Sequence, residues 1–369
     1  MQASLSSTGY DIYASFENHP GVGLNHVVPD PSKPYFPVYY NDVYEVILPP
    51  NHRFPMEKYG MVRKLFQQRL QSLLTEETTA VVNDLRVSPL ASWEELVTTH
   101  SPEYVYRFLS GDQTTEEIRN VGFPWSTSGV QRALSSTGGT VAAACAVCDV
   151  LVSDTYRDQP VWSAHVAGGT HHAFADRGEG FCVFNDIAVA ANVVLERYPS
   201  VIRRVLILDL DVHQSNGSAV LFAGQDDVFT FSLHCSANHF SKKETSDLDI
   251  ELPADATDPT YLVTLRHWLK QLEQEGPEFD LVFFQAGVDI LDIDRLGRLS
   301  VSPKGVRRRN QLVFDFCSRN GLPVVITMGG GYPQRGEPWD TIIEEHANVY
   351  FGAFQHLLLQ TQSEPITTD

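Results

Sequence analysis

The chain has 369 residues, 43 % hydrophobic and 20 % charged, enough to bury a large core without disulfide staples. Its net charge of −19 opposes tight binding to nucleic acid or to an anionic membrane, and suits cationic partners such as Lys-rich peptides or polyamines. Five cysteines without disulfide-like spacing fit a reducing compartment; no apolar run approaches the ~20 residues of a membrane span, and no basic region opens a leader, so cytoplasm or nucleus is expected, with an organelle left open.

Residues 1–36 carry Gly, Pro, Ser and Asn without periodicity and read as an irregular arm. One domain is expected over 37–359, with a tail at 360–369. Apolar, β-branched runs predict strands at 43–48, 79–82, 161–166, 204–210, 228–233, 279–285 and 323–328. Most are continuous rather than alternating, as in strands covered on both faces. Helical spacing recurs at 57–74, 126–152, 185–197, 261–275, 303–319 and 339–359. The alternation predicts an α/β fold: one open, mostly parallel sheet with helices on both faces. Cys145 and Cys148 form a CxxC inside the 126–152 helix, where they read as small buried hydrophobes.

In such a sheet, ligands bind beyond the carboxyl ends of the strands. Gly168-Gly169-Thr170-His171-His172 follows the 161–166 strand. The glycines permit a tight turn, and adjacent histidines can serve as acid and base. Asp209, Asp211 and His213 end the 204–210 strand. Residues two apart on extended chain share a face, so Asp211 and His213 make two legs of a metal site. Asp289 follows the 279–285 strand at the same edge, with a turn or helix-cap role as the plainer alternative. Gly329, Gly330 and Gly331 follow the last strand and let backbone approach a ligand; Tyr332 then offers a hydroxyl to a developing oxyanion. A phosphate cradle is the other reading of that loop, but it lacks the Lys-Ser/Thr pair of a P-loop.

These stretches, with Gly180-Phe181-Cys182-Val183-Phe184-Asn185-Asp186 and Ser232-Leu233-His234, resemble the histone deacetylase superfamily on the arginase/deacetylase fold. The likeness covers about 39–350. Asp294-Arg295-Leu296-Gly297 and Leu299-Ser300-Val301-Ser302 look most like class IV and its bacterial relatives. The resemblance implies Asp211, His213 and Asp289 as zinc ligands and His171 and His172 as the tandem histidine pair. Asp209 would support the first histidine and Asn216 the second, where an Asn leaves its partner less basic than an Asp would. Tyr332 matches the transition-state tyrosine. Phe181, with Gly180 and Gly330, would line an acyl-lysine tunnel. The stretch after His234 departs from the family pattern, so Phe240 is the expected opposite wall. A structural potassium ion is implied at Asp209, Asp211, His213, Ser232 and Leu233, and a second cation near Phe222, Gln225 and Val228.

The implied activity is zinc-dependent hydrolysis of acetyl or other neutral acyl groups from lysine side chains. Deacetylation of acetylpolyamines or other small acylated amines is the alternative. Neutral acyl groups are expected because no Arg or Lys occurs in the motifs that should line the tunnel. A two-manganese ureohydrolase would need a DxD where Leu291 follows Asp289, and an inactive acyl-lysine binder would not need the full set of site residues.

Overall fold

Alternate residues of strand β4 (Val205–Asp209) serve two cores. Leu206 and Leu208 join one apolar cluster, and Val205 and Ile207 join another on the opposite face. This period-2 division is what a strand covered on both sides requires. The computed structural model describes residues 35–50, 52–73, 85–153, 160–336 and 338–362. The other strands are β1 (Val38–Tyr40), β2 (Leu85–Val87), β3 (Trp162–His165), β5 (Val228–Cys235), β6 (Leu248–Leu252), β7 (Leu281–Gln285) and β8 (Val324–Thr327). All pair in parallel, in the order β2-β1-β3-β8-β7-β4-β5-β6. The sheet is therefore wholly parallel among the described residues.

One face packs against α1 (Lys58–Ser72), α8 (Asp258–Glu275), α9 (Pro303–Arg319) and α10 (Asp340–Gln362). The other packs against α5 (Thr127–Val152) and α6 (Asp186–Arg197). Short helices α2 (Trp93–Leu96), α3 (Pro102–Ser110) and α4 (Thr115–Val121) cover a third cluster around Phe184; α7 (Asn216–Leu221) follows β4. Capping boxes at Ser92/Glu95 and Thr114/Glu117 start α2 and α4, each satisfying two otherwise orphaned backbone donors.

The structure differs from the sequence expectation in several places. Residues 43–48 are irregular instead of a strand, with Ile47 93 % exposed; β1 has already ended at Tyr40, and Pro49 and Pro50 follow. The strand expected at 79–82 lies outside the described residues. Strands β1 and β2, three residues each, and the edge strand β6 carry too little continuous apolar signal to read. In β6, Ile250 and Leu252 turn inward while Asp249 and Glu251 do not. Tyr35 and Phe36, expected in the irregular arm, are buried, and Tyr35 bridges Val161. The last helix runs to Gln362, into the expected tail. Helix α5 is long and apolar enough to cross a membrane, but 67 % of its apolar window is buried inside the fold.

Candidate active site

Four strand ends deliver the site. Beyond β4, the Asp211 amide donates to Asp209 Oδ1 (3.0 Å) and the His213 amide to Asp211 Oδ1 (3.0 Å), so this segment is held by its own carboxylates. Asp289, beyond β7, accepts the Val212 amide at 3.0 Å. His213 Nδ1 then lies 3.1 Å from Asp211 Oδ1 and 3.3 Å from Asp289 Oδ2. Donor atoms of Asp211, His213 and Asp289 all fall within 4.8 Å of one another.

Electrostatics favour a positive charge within this cluster. Burial pushes the Asp289 carboxyl up to about 7, aided by the Asp211 charge beside it. Burial works against the His213 imidazolium, yet its bonds to Asp211 and Asp289 hold it up at about 10. Two buried carboxylates this close need a positive charge between them. Apart from the His213 ring at 3.3 Å, Asp289 Oδ2 is buried without a polar partner among the described residues. The N/O donor set suits zinc, so the group the fold family implies fits the residues present. A Cβ on Gly330 would fall 2.0 Å from Asp289 Oδ2, which explains glycine there.

The Gly168–Gly169 turn, both residues at positive φ, ends β3 and presents the histidine pair. His171 Nδ1 is 2.7 Å from Asp209 Oδ2, and His172 Nδ1 is 2.6 Å from Asn216 Oδ1. Burial disfavours the His171 imidazolium, but Asp209 and Asp211 outweigh it and raise its pKa. Burial, with His171 and His213 nearby, drives the His172 pKa well down, leaving it neutral. The two adjacent histidines thus hold opposite protonation preferences.

Beyond β8, the Gly330 amide donates to Asp211 Oδ2 at 2.7 Å and ties the glycine turn to the cluster. Burial, reinforced by Asp289 and Asp211, pushes the Tyr332 phenol well above its ordinary range, so it remains a donor. Phe181, at φ +69°, is a strained non-glycine residue; its ring packs 5.0 Å from Phe54 and 6.4 Å from Tyr332. Phe240 is half exposed and meets His172 edge-on at 4.6 Å, and its ring abuts Gly180. Phe181 and Phe240 both line a cavity of about 470 Å³ that contains Asp211, His213, His172 and Tyr332.

Two of the residues named for a structural potassium ion are neighbours in the sheet. Ser232 pairs with Asp209 across β4–β5, and Ser232 Oγ lies 2.9 Å from His234 Nδ1. Phe222 and Gln225, named for a second cation, meet in the turn after α7, where the Phe222 carbonyl accepts the Gln225 amide at 3.0 Å.

A histone deacetylase domain model matches residues 52–346. The chain belongs to the histone deacetylase family. An uncharacterized protein of Picosynechococcus is 40 % identical over 302 residues, covering 80 % of this chain and 92 % of that one. The histone deacetylase-like amidohydrolase of Pseudomonas aeruginosa is 29 % identical, covering 77 % and 76 %. Histone deacetylase 2 of Arabidopsis thaliana is 29 % identical, covering 76 % and 70 %. In fold, an HDAC homologue solved with SAHA matches at a TM-score of 0.68 with 21 % identity, covering 88 % of this chain and 84 % of that one.

Several supports of this histone deacetylase site carried no sequence signal. Lys58, buried at the start of α1, donates to the carbonyls of Gly329 (3.4 Å) and Gly331 (3.2 Å) and sits 5.2 Å over the Tyr332 ring. Burial lowers its pKa to about 8. Arg309, buried on α9, donates to the carbonyls of Leu210 (3.3 Å), Ala286 (3.3 Å) and Gly287 (3.0 Å). Asp186, which stands in one of the family motifs but was given no role, accepts the amides of Gly169 (3.1 Å) and Thr170 (2.7 Å), fixing the turn before His171. No Arg or Lys stands in the tunnel motifs, yet Arg53, Lys58, Arg119 and Arg298 all line the cavity. They come from loops and helix ends outside the motifs.

Proposed function

We propose that the protein is a zinc-dependent hydrolase that removes neutral acyl groups from lysine-type amines. The observation that carries this is the convergence of Asp211, His213 and Asp289 donor atoms within 4.8 Å, beside a cavity that also holds His172 and Tyr332. Bound zinc would lower the pKa of a water and polarise the substrate carbonyl. Asp211, His213 and Asp289 would hold it, leaving one position open. Neutral His172 takes the proton from the attacking water and returns it to the leaving amine. His171, kept charged by Asp209, stabilises the negative charge that develops nearby. The Tyr332 hydroxyl donates to the oxyanion. Phe181 and Phe240 enclose the alkyl stem, where a charged acyl group would lose hydration. Lys58 does not change that expectation, because its ammonium already serves two backbone carbonyls.

The potassium ion implied at Asp209, Asp211, His213, Ser232 and Leu233 is part of the same proposal, supported by the burial of both carboxylates. We extend it to a single deacetylase domain over 37–359, and to a class IV affinity resting on residues 294–302. The test is elemental analysis followed by turnover of a fluorogenic acetyl-lysine peptide. About one zinc per chain and release of free amine support the proposal; two manganese ions per chain, or no turnover with zinc bound, refute it.

A further inference from the structure

The chain is strongly acidic, but the mouth of its cavity is not. Arg53, Arg119 and Arg298 are exposed residues that line it, and Asp211, buried at the metal cluster, is the one carboxylate among the described lining residues. Each arginine is placed by a different element. The Arg53 guanidinium lies over the Phe181 ring, 5.3 Å from its centroid, which fixes it at the tunnel wall. Arg119 is near the end of α4, whose next residues clamp the same wall: the Gly180 amide donates to Asn120 (3.0 Å) and the Phe181 amide to Val121 (2.8 Å). Arg298 stands on the Phe240 side, its amide donating to Asn238 Oδ1 at 2.9 Å. Among the described residues, none of the three is ion-paired. Arg295 adds a fourth cation beside them by donating to the Arg53 carbonyl.

A cation entering this mouth meets three arginines and, among the described residues that line the cavity, no exposed carboxylate. A carboxylate meets donors on both sides of the opening, and Arg presents the planar fork that matches it. The local field therefore opposes the whole-chain charge, and the local field governs a ligand within a Debye length of ~8 Å. We infer that the substrate is an acylated amine bearing a carboxylate on the part left outside the tunnel, and that cationic acylpolyamines are rejected. This rests on the deacylase reading and names its substrate class. It also reverses the expectation, drawn from net charge, of Lys-rich or polyamine partners.

The experiment compares Nα-benzoyl-Nε-acetyl-lysine as the free acid, the same compound as its primary amide, and N-acetylputrescine. Three exposed charge contacts of ordinary strength multiply to about tenfold in kcat/KM for the acid over the amide, carried mainly by KM. That preference shrinks in high salt and falls in Arg53→Gln, Arg119→Gln and Arg298→Gln. All three positions are exposed, so the variants fold. Acetyl-lysine peptides flanked by Asp or by Lys then distinguish a peptide carboxylate from that of a small molecule. Equal rates for acid and amide, or N-acetylputrescine as the best substrate, overturn the inference while leaving the deacylase intact. Binding of the same acid and amide to Tyr332→Phe protein separates the two claims. If nothing is hydrolysed by the parent but the acid still binds about tenfold tighter, the carboxylate site stands and the deacylase reading falls.

Discussion

His172 Nδ1 lies 2.6 Å from the side-chain oxygen of Asn216. An amide cannot balance an imidazolium as the Asp209 carboxylate does for His171. Asn216→Asp should therefore raise the basicity of His172. The acidic limb of the kcat/KM–pH profile should move up by about one unit. A limb that stays in place assigns it to another group and removes His172 as the base.

Tyr332 keeps its proton well beyond the ordinary phenol range because burial, together with Asp289 and Asp211, disfavours the phenolate. Tyr332→Phe should bind zinc normally and lose ~10²–10³ in kcat, the usual effect of deleting one oxyanion donor. Turnover close to the parent's would assign the donor elsewhere.

Asp289 and Asp211 are buried side by side, and the Asp211 charge disfavours the Asp289 carboxylate when no metal joins them. Asp289→Asn relieves that repulsion and still accepts the Val212 amide through its side-chain oxygen. In chelator, the variant should melt no lower than the parent. Added zinc should raise the parent's Tm and leave the variant nearly unmoved, because only the parent gains binding free energy in the folded state. Equal zinc-induced shifts would remove Asp289 from the ligand set.

His100 links the third apolar cluster to the site loops. Its Nδ1 contacts the Phe174 carbonyl (2.8 Å), and its Nε2 accepts the Asn185 amide (3.0 Å), an arrangement only the neutral ring satisfies. Burial lowers its pKa from 6.5 to about 4. Between those values the unfolded chain binds the proton and the folded chain does not, so stability rises with pH across the window. That stability is lost as pH falls from about 6.5 toward 4, on the order of 2–3 kcal/mol. Urea midpoints between pH 7 and 5 should carry this loss, offset in part by Asp289, which takes up a proton in the folded state over the same range. His100→Gln should start lower at pH 7 and show a shallower slope; an unchanged slope refutes the assignment.

The parallel sheet and its catalytic edge were legible because β4, β7 and β8 are mainly continuous apolar runs, each followed by polar or glycine residues out of place in a core. Asp211, His213, Asp289, His171, His172 and Tyr332 all stood at such junctions. Lys58 was illegible: a lysine opening an amphipathic helix reads as solvated, and only tertiary packing buries it. Arg309 was hidden the same way on α9. The arginines of the mouth were missed because exposed cations on loops carry no periodicity, and net charge pointed the other way. Residues 43–48 misled because β-branched composition does not create a partner strand.

Asp211 and Asp289 meet beyond the ends of neighbouring strands that are far apart in the chain, with α7, β5, β6 and α8 intervening. The cluster cannot exist until those crossovers have closed, so the unfolded chain holds no ready-made nest for the ion. Contacts of this range form late and slowly. A metal bound there would act as a keystone and not as a template: it would slow departure from the native state without hastening arrival.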